Sequence, residues 1–348
     1  MTIFNSNDLN ALFWYIENYN IQIKNSNRLI IYNAVENSKL KIFNNPLCIQ
    51  RFYPDYKRLS DLGYYVAPVL PINDTFDGAI FIASKHKEDN LYAIAQICNM
   101  LDENGILIII SRNETGGKSL TKYASQLLGA GENENKHHCR IFKTYKKKKL
   151  INDEMLNQFL DYGKPKSVGQ YFTSTGVFSE GKIDIGSQFL IDTITKINIS
   201  GDVADFGAGW GYLSGEVLRN NKEISSITLI EADYCSLELA KQAISSSLAE
   251  FIWSDVLTND IYNKYDAIIT NPPFHYGSFT DSNIGIQFIE SAYDALRYDR
   301  TLYLVANKKL PYENTIEALF GNIKILDEKD GYKVISAVKL GKAENRSP

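Results

Sequence analysis

Cysteine is scarce in this 348-residue chain: Cys48, Cys98, Cys139 and Cys235 lie far apart and form no Cys-x-x-Cys pair. That spacing argues against a zinc site or a disulfide framework and fits free thiols in a reducing compartment, so a cytoplasmic location is expected. Histidine is as sparse, at four, and the adjacent His137 and His138 in a polar stretch make no metal site; no metal is expected. No apolar run approaches the roughly 18 residues that would cross a membrane. The first residues, Met1-Thr2-Ile3-Phe4-Asn5, lack the basic-then-apolar layout of a secretion signal. Gly116-Gly117-Lys118-Ser119 has no upstream glycine at the spacing of a phosphate loop and reads as a plain turn.

Strong charge of one sign is also missing, since the net charge is −4, which argues against a generic polyanion binder. The sum is uneven, however. Residues 1–150 carry 19 Lys+Arg against 14 Asp+Glu, and the remainder carries 18 against 27. Five of the early lysines, Lys143 and Lys146 to Lys149, fall in one stretch that suits either an RNA-phosphate contact or a solvated connection. A length of 348 residues suggests about two domains, and 44% hydrophobic content supplies ordinary cores.

What is present clusters in the second half. Asp202-Val203-Ala204-Asp205-Phe206-Gly207-Ala208-Gly209-Trp210-Gly211 reads as a strand, a glycine turn and then a helix over about 212–220. Glycines let a backbone approach a ligand, and a helix N-terminus behind them favours negative charge. A dinucleotide fingerprint would need glycine at 212, where tyrosine stands. The Gly-x-Gly-x-Gly spacing with Asp205 before it suits S-adenosylmethionine (SAM), which carries an amino-acid moiety and no pyrophosphate. Glu231 ends the next strand, where a carboxylate would bind a ribose diol, and Asp255 follows a third apolar segment, placed for an adenine amino group. A fourth strand, 265–270, runs into Asn271-Pro272-Pro273-Phe274. Two prolines stiffen this turn and free its carbonyls. The Asn271 side-chain oxygen and the Pro272 carbonyl can then accept both hydrogens of a planar amino group, and Phe274 can stack on a base.

Residues 171–340 resemble the catalytic domain of the bacterial small-subunit ribosomal RNA guanine-N2 methyltransferases of the C type, whose large-subunit relatives share that domain. The matching stretches are Gly176–Ser179, Asp184-Ile185-Gly186-Ser187-Gln188, Asp205–Gly211, Asn271-Pro272-Pro273-Phe274-His275-Tyr276-Gly277 and Val305–Tyr312. Trp210 and Asp233 depart from the pattern as tolerated variation. The Asn-Pro-Pro-Phe core alone also occurs in DNA adenine and protein glutamine methyltransferases, so those acceptors remain open, as does a non-catalytic RNA-binding factor. The resemblance implies an α/β fold of two tandem class I SAM-dependent methyltransferase domains, each Rossmann-like with a seven-stranded sheet, the first degenerate. It implies SAM as cofactor and methylation of guanine N2 in ribosomal RNA, with that of the small subunit preferred and the large-subunit RNA as the alternative.

Carried onto this sequence, the resemblance implies catalytic roles for Asn271, Pro272 and Phe274. Cofactor binding would fall to Asp205, Gly207, Gly209, Gly211, Glu231, Asp255, Asn271 and Phe178, and substrate binding to Pro273, Phe274, His275 and Lys308. The expected organisation is a degenerate substrate-recognition domain over 1–150, a linker over 151–168, a catalytic domain over 169–340 and a disordered tail over 341–348. The first half repeats the second loosely: Phe76-Asp77-Gly78-Ala79-Ile80 parallels Tyr265-Asp266-Ala267-Ile268-Ile269. It has Asn33-Ala34-Val35-Glu36 where the glycine loop should stand and Ala83-Ser84-Lys85-His86 for the Asn-Pro-Pro-Phe turn. Two fused similar domains suggest a monomer.

Overall fold

Short runs of Ile, Val, Leu and Phe alternate with amphipathic helices along the whole chain, the pattern of parallel sheets covered on both faces. The computed structural model describes residues 6–19, 21–258, 261–273, 275–276, 279–280 and 282–341. Phe274 and the expected tail from 342 onward lie outside the described residues, as does the N-terminal segment 1–5.

The chain divides into two compact units, Met1–Pro165 with Ser174–Gly176, and Lys166–Thr173 with Val177–Pro348. The first runs α1 (Ser6–Asn18), β1 (Leu29–Tyr32), β2 (Leu47–Ile49), α2 (Tyr53–Asp61), β3 (Tyr65–Ala67), β4 (Phe76–Ile82), α3 (Lys87–Met100), β5 (Leu101–Arg112), α4 (Gly117–Leu128), β6 (Glu132–Lys136), β7 (Cys139–Tyr145) and α5 (Asp153–Asp161). The second begins with a small hairpin, β8 (Lys166–Val168) and β9 (Tyr171–Thr173), followed by α6 (Ile185–Ile194) and β10 (Gly201–Phe206). It continues with α7 (Tyr212–Asn220), β11 (Ile224–Glu231), α8 (Tyr234–Ala243), β12 (Ala249–Trp253) and β13 (Tyr265–Thr270). A two-residue pair, β14 (His275–Tyr276) and β15 (Phe279–Thr280), precedes α9 (Ser282–Ala295), β16 (Leu296–Asn307), α10 (Glu313–Leu319), β17 (Gly321–Lys329) and β18 (Tyr332–Lys339).

Both sheets have seven strands in one topology, β3-β2-β1-β4-β5-β7-β6 and β12-β11-β10-β13-β16-β18-β17. Five strands of each are parallel, and the last two form an antiparallel hairpin. Alternate residues feed opposite faces, as the two-residue period of a strand requires. In β5, Ile106, Ile108 and Ile110 enter one core while Leu107 and Ile109 enter the other. In β16, Leu302 and Leu304 face one layer and Tyr303 and Val305 the other.

The repeat reaches individual hydrogen bonds. Asp77 accepts from the Asn27 and Arg28 amides at the entry to β1, and Asp266 accepts from the Asp202 amide in β10. Lys146 donates to the Asn99 and Leu101 carbonyls where α3 ends, and Lys339 donates to the Asp294 and Leu296 carbonyls where α9 ends. A cation there meets the negative pole of the helix and its unsatisfied carbonyls. Lys146 therefore has a structural partner. So has Lys143, whose ammonium lies 2.7 Å from Glu132, leaving Lys147, Lys148 and Lys149 as the exposed part of the basic run.

The stretch expected as a linker is largely folded. Asn152 caps α5, and Phe159 is buried in the core of the first unit among Met155, Leu156 and Leu160. The shift to the second unit comes at Lys166. Gly116, in the left-handed region, starts α4 rather than a bare turn.

Candidate functional site

Parallel topology makes the carboxyl ends of the strands a shared edge, and the strand order reverses between β10 and β13. Loops leaving those two strands diverge and open a crevice there. Thr270, the last residue of β13, donates from its hydroxyl to the Phe206 carbonyl at the end of β10, 2.7 Å away. The glycine turn and the Asn271 turn thus begin side by side.

The glycine turn requires its glycines. Gly207, Gly209 and Gly211 have φ of +73°, +56° and +87°, a region that costs other L-residues roughly 1–2 kcal/mol. Two of them differ in what surrounds them. A Cβ on Gly211 would come within 2.9 Å of the Ala240 Cβ and 3.0 Å of Ile244, so this glycine lets α7 start against α8. A Cβ on Gly209 would meet nothing within 4 Å. The Gly209 amide donates to Glu231 at 2.7 Å, and the other Glu231 oxygen accepts from the Asp233 amide at 2.7 Å. Asp233 also caps α8 through Ser236. Glu231 is buried enough that desolvation pushes its carboxyl up to about 7, against the two amide bonds that lower it. Each of its oxygens keeps a second lone pair for a ligand hydroxyl.

Asp205 is fully buried, and one oxygen accepts from both the amide and the hydroxyl of Ser214 at 3.1 and 2.7 Å. Its other oxygen has no hydrogen-bond partner. Desolvation outweighs the Ser214 bonds and raises its carboxyl to about 7. Through the two Ser214 bonds Asp205 also holds the first turn of α7 under the glycine turn. Asp255 follows β12, half-buried, and accepts from the Leu257 amide at 3.0 Å.

Trp210 is 4% exposed, packed between Tyr171 and Tyr212, and its indole donates to the Phe178 carbonyl at 2.9 Å. The residue read as tolerated variation thus anchors the Phe178 backbone to the glycine turn, while the Phe178 side chain is 56% exposed. Lys308 is not an isolated cation: its ammonium lies 2.6 Å from Glu328 on β17.

Asn271 is the best-defined polar group of the second turn. Its amide nitrogen donates to Asp184 and to Ser187 Oγ, each at 2.9 Å. Asp184 is the N-cap of α6 and accepts from the Ser187 amide with the same oxygen. A carboxylate only accepts hydrogen bonds, so the Asn271 nitrogen must face it and the Asn271 oxygen must face the other way. Pro272 is buried and Pro273 half-buried; His275 enters the two-residue β14, paired with Thr280. Asp184 and Ser187 belong to one of the motif stretches that carry the family resemblance, and the structure gives them this role. The Asp-x-x-Ser helix start is visible in the sequence, but its partner Asn271, in the turn after β13, is not.

The corresponding positions of the first unit keep the shape and lose the groups. Ile31 stands in β1 where Asp205 stands in β10, and register places Ile82 opposite the site of Asn271, one residue earlier than the sequence parallel suggested. Gln50 takes the place of Glu231 and is spent on the protein itself, donating to the Ala34 carbonyl at 2.7 Å and accepting from the Phe52 amide at 3.0 Å. Asn33 adopts φ of +55° where Gly207 stands, with its amide on the Ile82 carbonyl.

A separate concavity of about 370 Å³ lies at the far end of α7, lined by Tyr171, Leu218, Arg219 and Ile244. Its arginine is paired with Glu216, and it lies away from the strand-end groups. Among the described residues, no helix is long and apolar enough to cross a membrane.

The open space at Gly209, the strand-end carboxylate of Glu231 and the outward oxygen of Asn271 fit an adenosyl amino acid beside an amino-group acceptor. Residues 169–336 match the methyltransferase small domain. A curated relative from Shewanella pealeana, "Ribosomal RNA small subunit methyltransferase C", is 31% identical, with 78% of this chain and 80% of that protein covered. One of the same name from Psychromonas ingrahamii is 29% identical, with 76% of each chain covered. Among solved structures, the T. thermophilus 16S rRNA N2 G1207 methyltransferase in complex with AdoMet and guanosine superposes with a TM-score of 0.74 and 22% identity. That match covers 90% of this chain and 88% of the other, and it shows a shared two-unit fold.

Proposed function

The chain belongs to the ribosomal RNA small subunit methyltransferase C family, and from that premise we propose that it transfers a methyl group from SAM to the exocyclic N2 of a guanine in 16S ribosomal RNA. The observation that carries the assignment of the site is the fixed amide of Asn271, whose oxygen is turned outward by two acceptors behind its nitrogen. With the Pro272 carbonyl it provides two acceptors on a rigid turn, the complement of the two hydrogens of an amino group.

SAM supplies an electrophilic methyl on a sulfonium, so the protein's work is positioning. The glycine turn Gly207–Gly211 admits the ligand backbone closely. Glu231 accepts from ribose hydroxyls, Asp255 meets the adenine amino group, and the exposed Phe178 ring covers the cofactor. Guanine N2 is a poor nucleophile because its lone pair is delocalised into the ring. Accepting its hydrogens at Asn271 and Pro272 draws the nitrogen towards tetrahedral geometry and aims the pair at the methyl. Phe274 stacks on the base, Pro273 and His275 shape the turn, and Lys308 reaches the RNA. The proton released after transfer needs no strong base. A looped or unpaired guanine reaches such a site at least cost.

The first unit serves as a recognition domain, and its degeneracy is supported by Ile31, Gln50 and Ile82 at the places of Asp205, Glu231 and Asn271. The protein acts as a cytoplasmic monomer, which sizing chromatography coupled to light scattering tests. The functional test is transfer of labelled methyl to unmodified small subunits, large subunits and their naked RNAs, with the product nucleoside identified by mass. N2-methylguanosine in 16S RNA alone is the expected result; label in large-subunit RNA moves the target, and none in either overturns the reading. Asn271→Ala should lose about 100-fold or more in turnover, the scale of removing one transition-state hydrogen-bonding group, while SAM still binds.

A further inference from the structure

The Asn271 amide has two faces, and only one of its two flipped states presents an acceptor to the substrate. We infer that Asp184 and Ser187 are positioning residues for methyl transfer: the Asp184 carboxylate selects the flip of Asn271 that turns its oxygen to the substrate amino group, and the Ser187 hydroxyl helps to hold the amide in that place. The inference rests on the proposed role of Asn271 and deepens it.

Three observations carry it. Both acceptors lie 2.9 Å from the Asn271 nitrogen. The Asp184 oxygen concerned is itself fixed, since it also takes the Ser187 amide at 2.9 Å as the α6 cap. Ser187 is 8% exposed, so its hydroxyl has little water to compete for. In the flipped state the Asn271 oxygen would face a carboxylate that cannot donate, and an NH2 group would face the substrate's own NH2. Gly186 completes the arrangement, because a Cβ there would lie 3.1 Å from both the Asp184 carboxylate and the Tyr332 ring. The helix start is thus packed around the very side chain that sets the amide. Methyl transfer by this site would depend on a helix cap that does not itself touch either reactant.

The test is a set of variants of the full-length enzyme assayed on small subunits: Asp184→Ser, Asp184→Asn, Ser187→Ala and Asn271→Ala, with the double variant Asp184→Ser/Asn271→Ala. Serine can still cap α6 but is shorter and can donate as well as accept, so it no longer fixes the flip. Asp184→Ser should lower kcat by about 10- to 100-fold, the loss of a hydrogen bond to the reacting group. The KM for RNA, the affinity for SAM and the melting temperature should stay near the parent values. Ser187→Ala should lose less, about 3- to 10-fold, since one acceptor remains. Asp184→Asn should recover most of the turnover, because the Ser187 amide keeps its carbonyl oxygen facing Asn271. In the Asn271→Ala background, Asp184→Ser should cost nothing further. An equal loss in both backgrounds, or full turnover in Asp184→Ser, overturns the inference. Full turnover in Asn271→Ala instead overturns the role of Asn271 itself, so the two failures are distinguishable.

Discussion

Burial of the Asp205 carboxyl makes a quantitative demand on the pH dependence of stability. Its folded value lies at about 7 against an ordinary 3.8, with desolvation as the leading cause. Between those values the folded state holds a proton that the unfolded chain has released, so stability falls as pH rises. The contribution is fully present below about pH 4 and is lost by the time pH passes about 7. One pKa unit corresponds to 1.36 kcal/mol, so the shift from 3.8 to about 7 amounts to about 4 kcal/mol across that window. Asp205→Asn keeps an oxygen for the Ser214 amide and hydroxyl but cannot ionise. Urea unfolding at pH 5, 6, 7 and 8, without SAM, should give a wild-type stability that declines relative to the variant, with the difference growing by a few kcal/mol. Glu231 is raised in the same direction chiefly by desolvation, with the Asp205 charge the smallest cause, so most of its contribution is common to both proteins. Parallel pH profiles for the two proteins would refute the assignment of a buried, proton-holding Asp205.

The two glycines should separate by readout. Gly211→Ala, with a Cβ 2.9 Å from Ala240, should lose at least about 2 kcal/mol of stability. Gly209→Ala, with open space around its Cβ, should lose about 1 kcal/mol and show its larger effect in SAM titration calorimetry; the reverse order would contradict the packing described. Lys339→Met strands the Asp294 and Leu296 carbonyls and the Asn263 amide oxygen, at an expected cost of about 1–3 kcal/mol by chemical denaturation. Glu328→Gln releases Lys308 from its 2.6 Å partner and should tighten RNA binding with a steeper salt dependence in filter-binding assays, with stability changed by less than about 1 kcal/mol. Unchanged RNA affinity would argue against a phosphate contact for Lys308.

Periodic and local features were readable in the sequence. The strand at 265–270 and the helix at 212–220 follow from an apolar run and from a glycine turn, and both occur with those bounds. What was not readable depends on partners distant in sequence. That Asp205 also braces Ser214 at the start of α7 could not be read from the glycines that follow it. Lys146 looked like part of a run for RNA phosphate or for solvent, but it binds the carbonyls at the end of α3. Asp184 and Asn271 are 87 residues apart, and nothing local to either announces the other.

Gln50 and Asn33 give the first unit a property that the second lacks. Their amides satisfy their own backbone neighbours, so that edge of the sheet is complete without any small molecule. The second unit instead leaves Asp205 with a buried, unpartnered oxygen and Glu231 with a raised carboxyl. Linkage then predicts an uneven response to the cellular SAM supply. At a hundred times its dissociation constant a ligand adds about 2.7 kcal/mol to the unit that binds it, so amide exchange at the ends of β10 and β13 should slow as SAM is added, while exchange at the ends of β1 and β4 should not follow the same isotherm. A starved cell would carry this enzyme with its catalytic half loosened and its other half as firm as before.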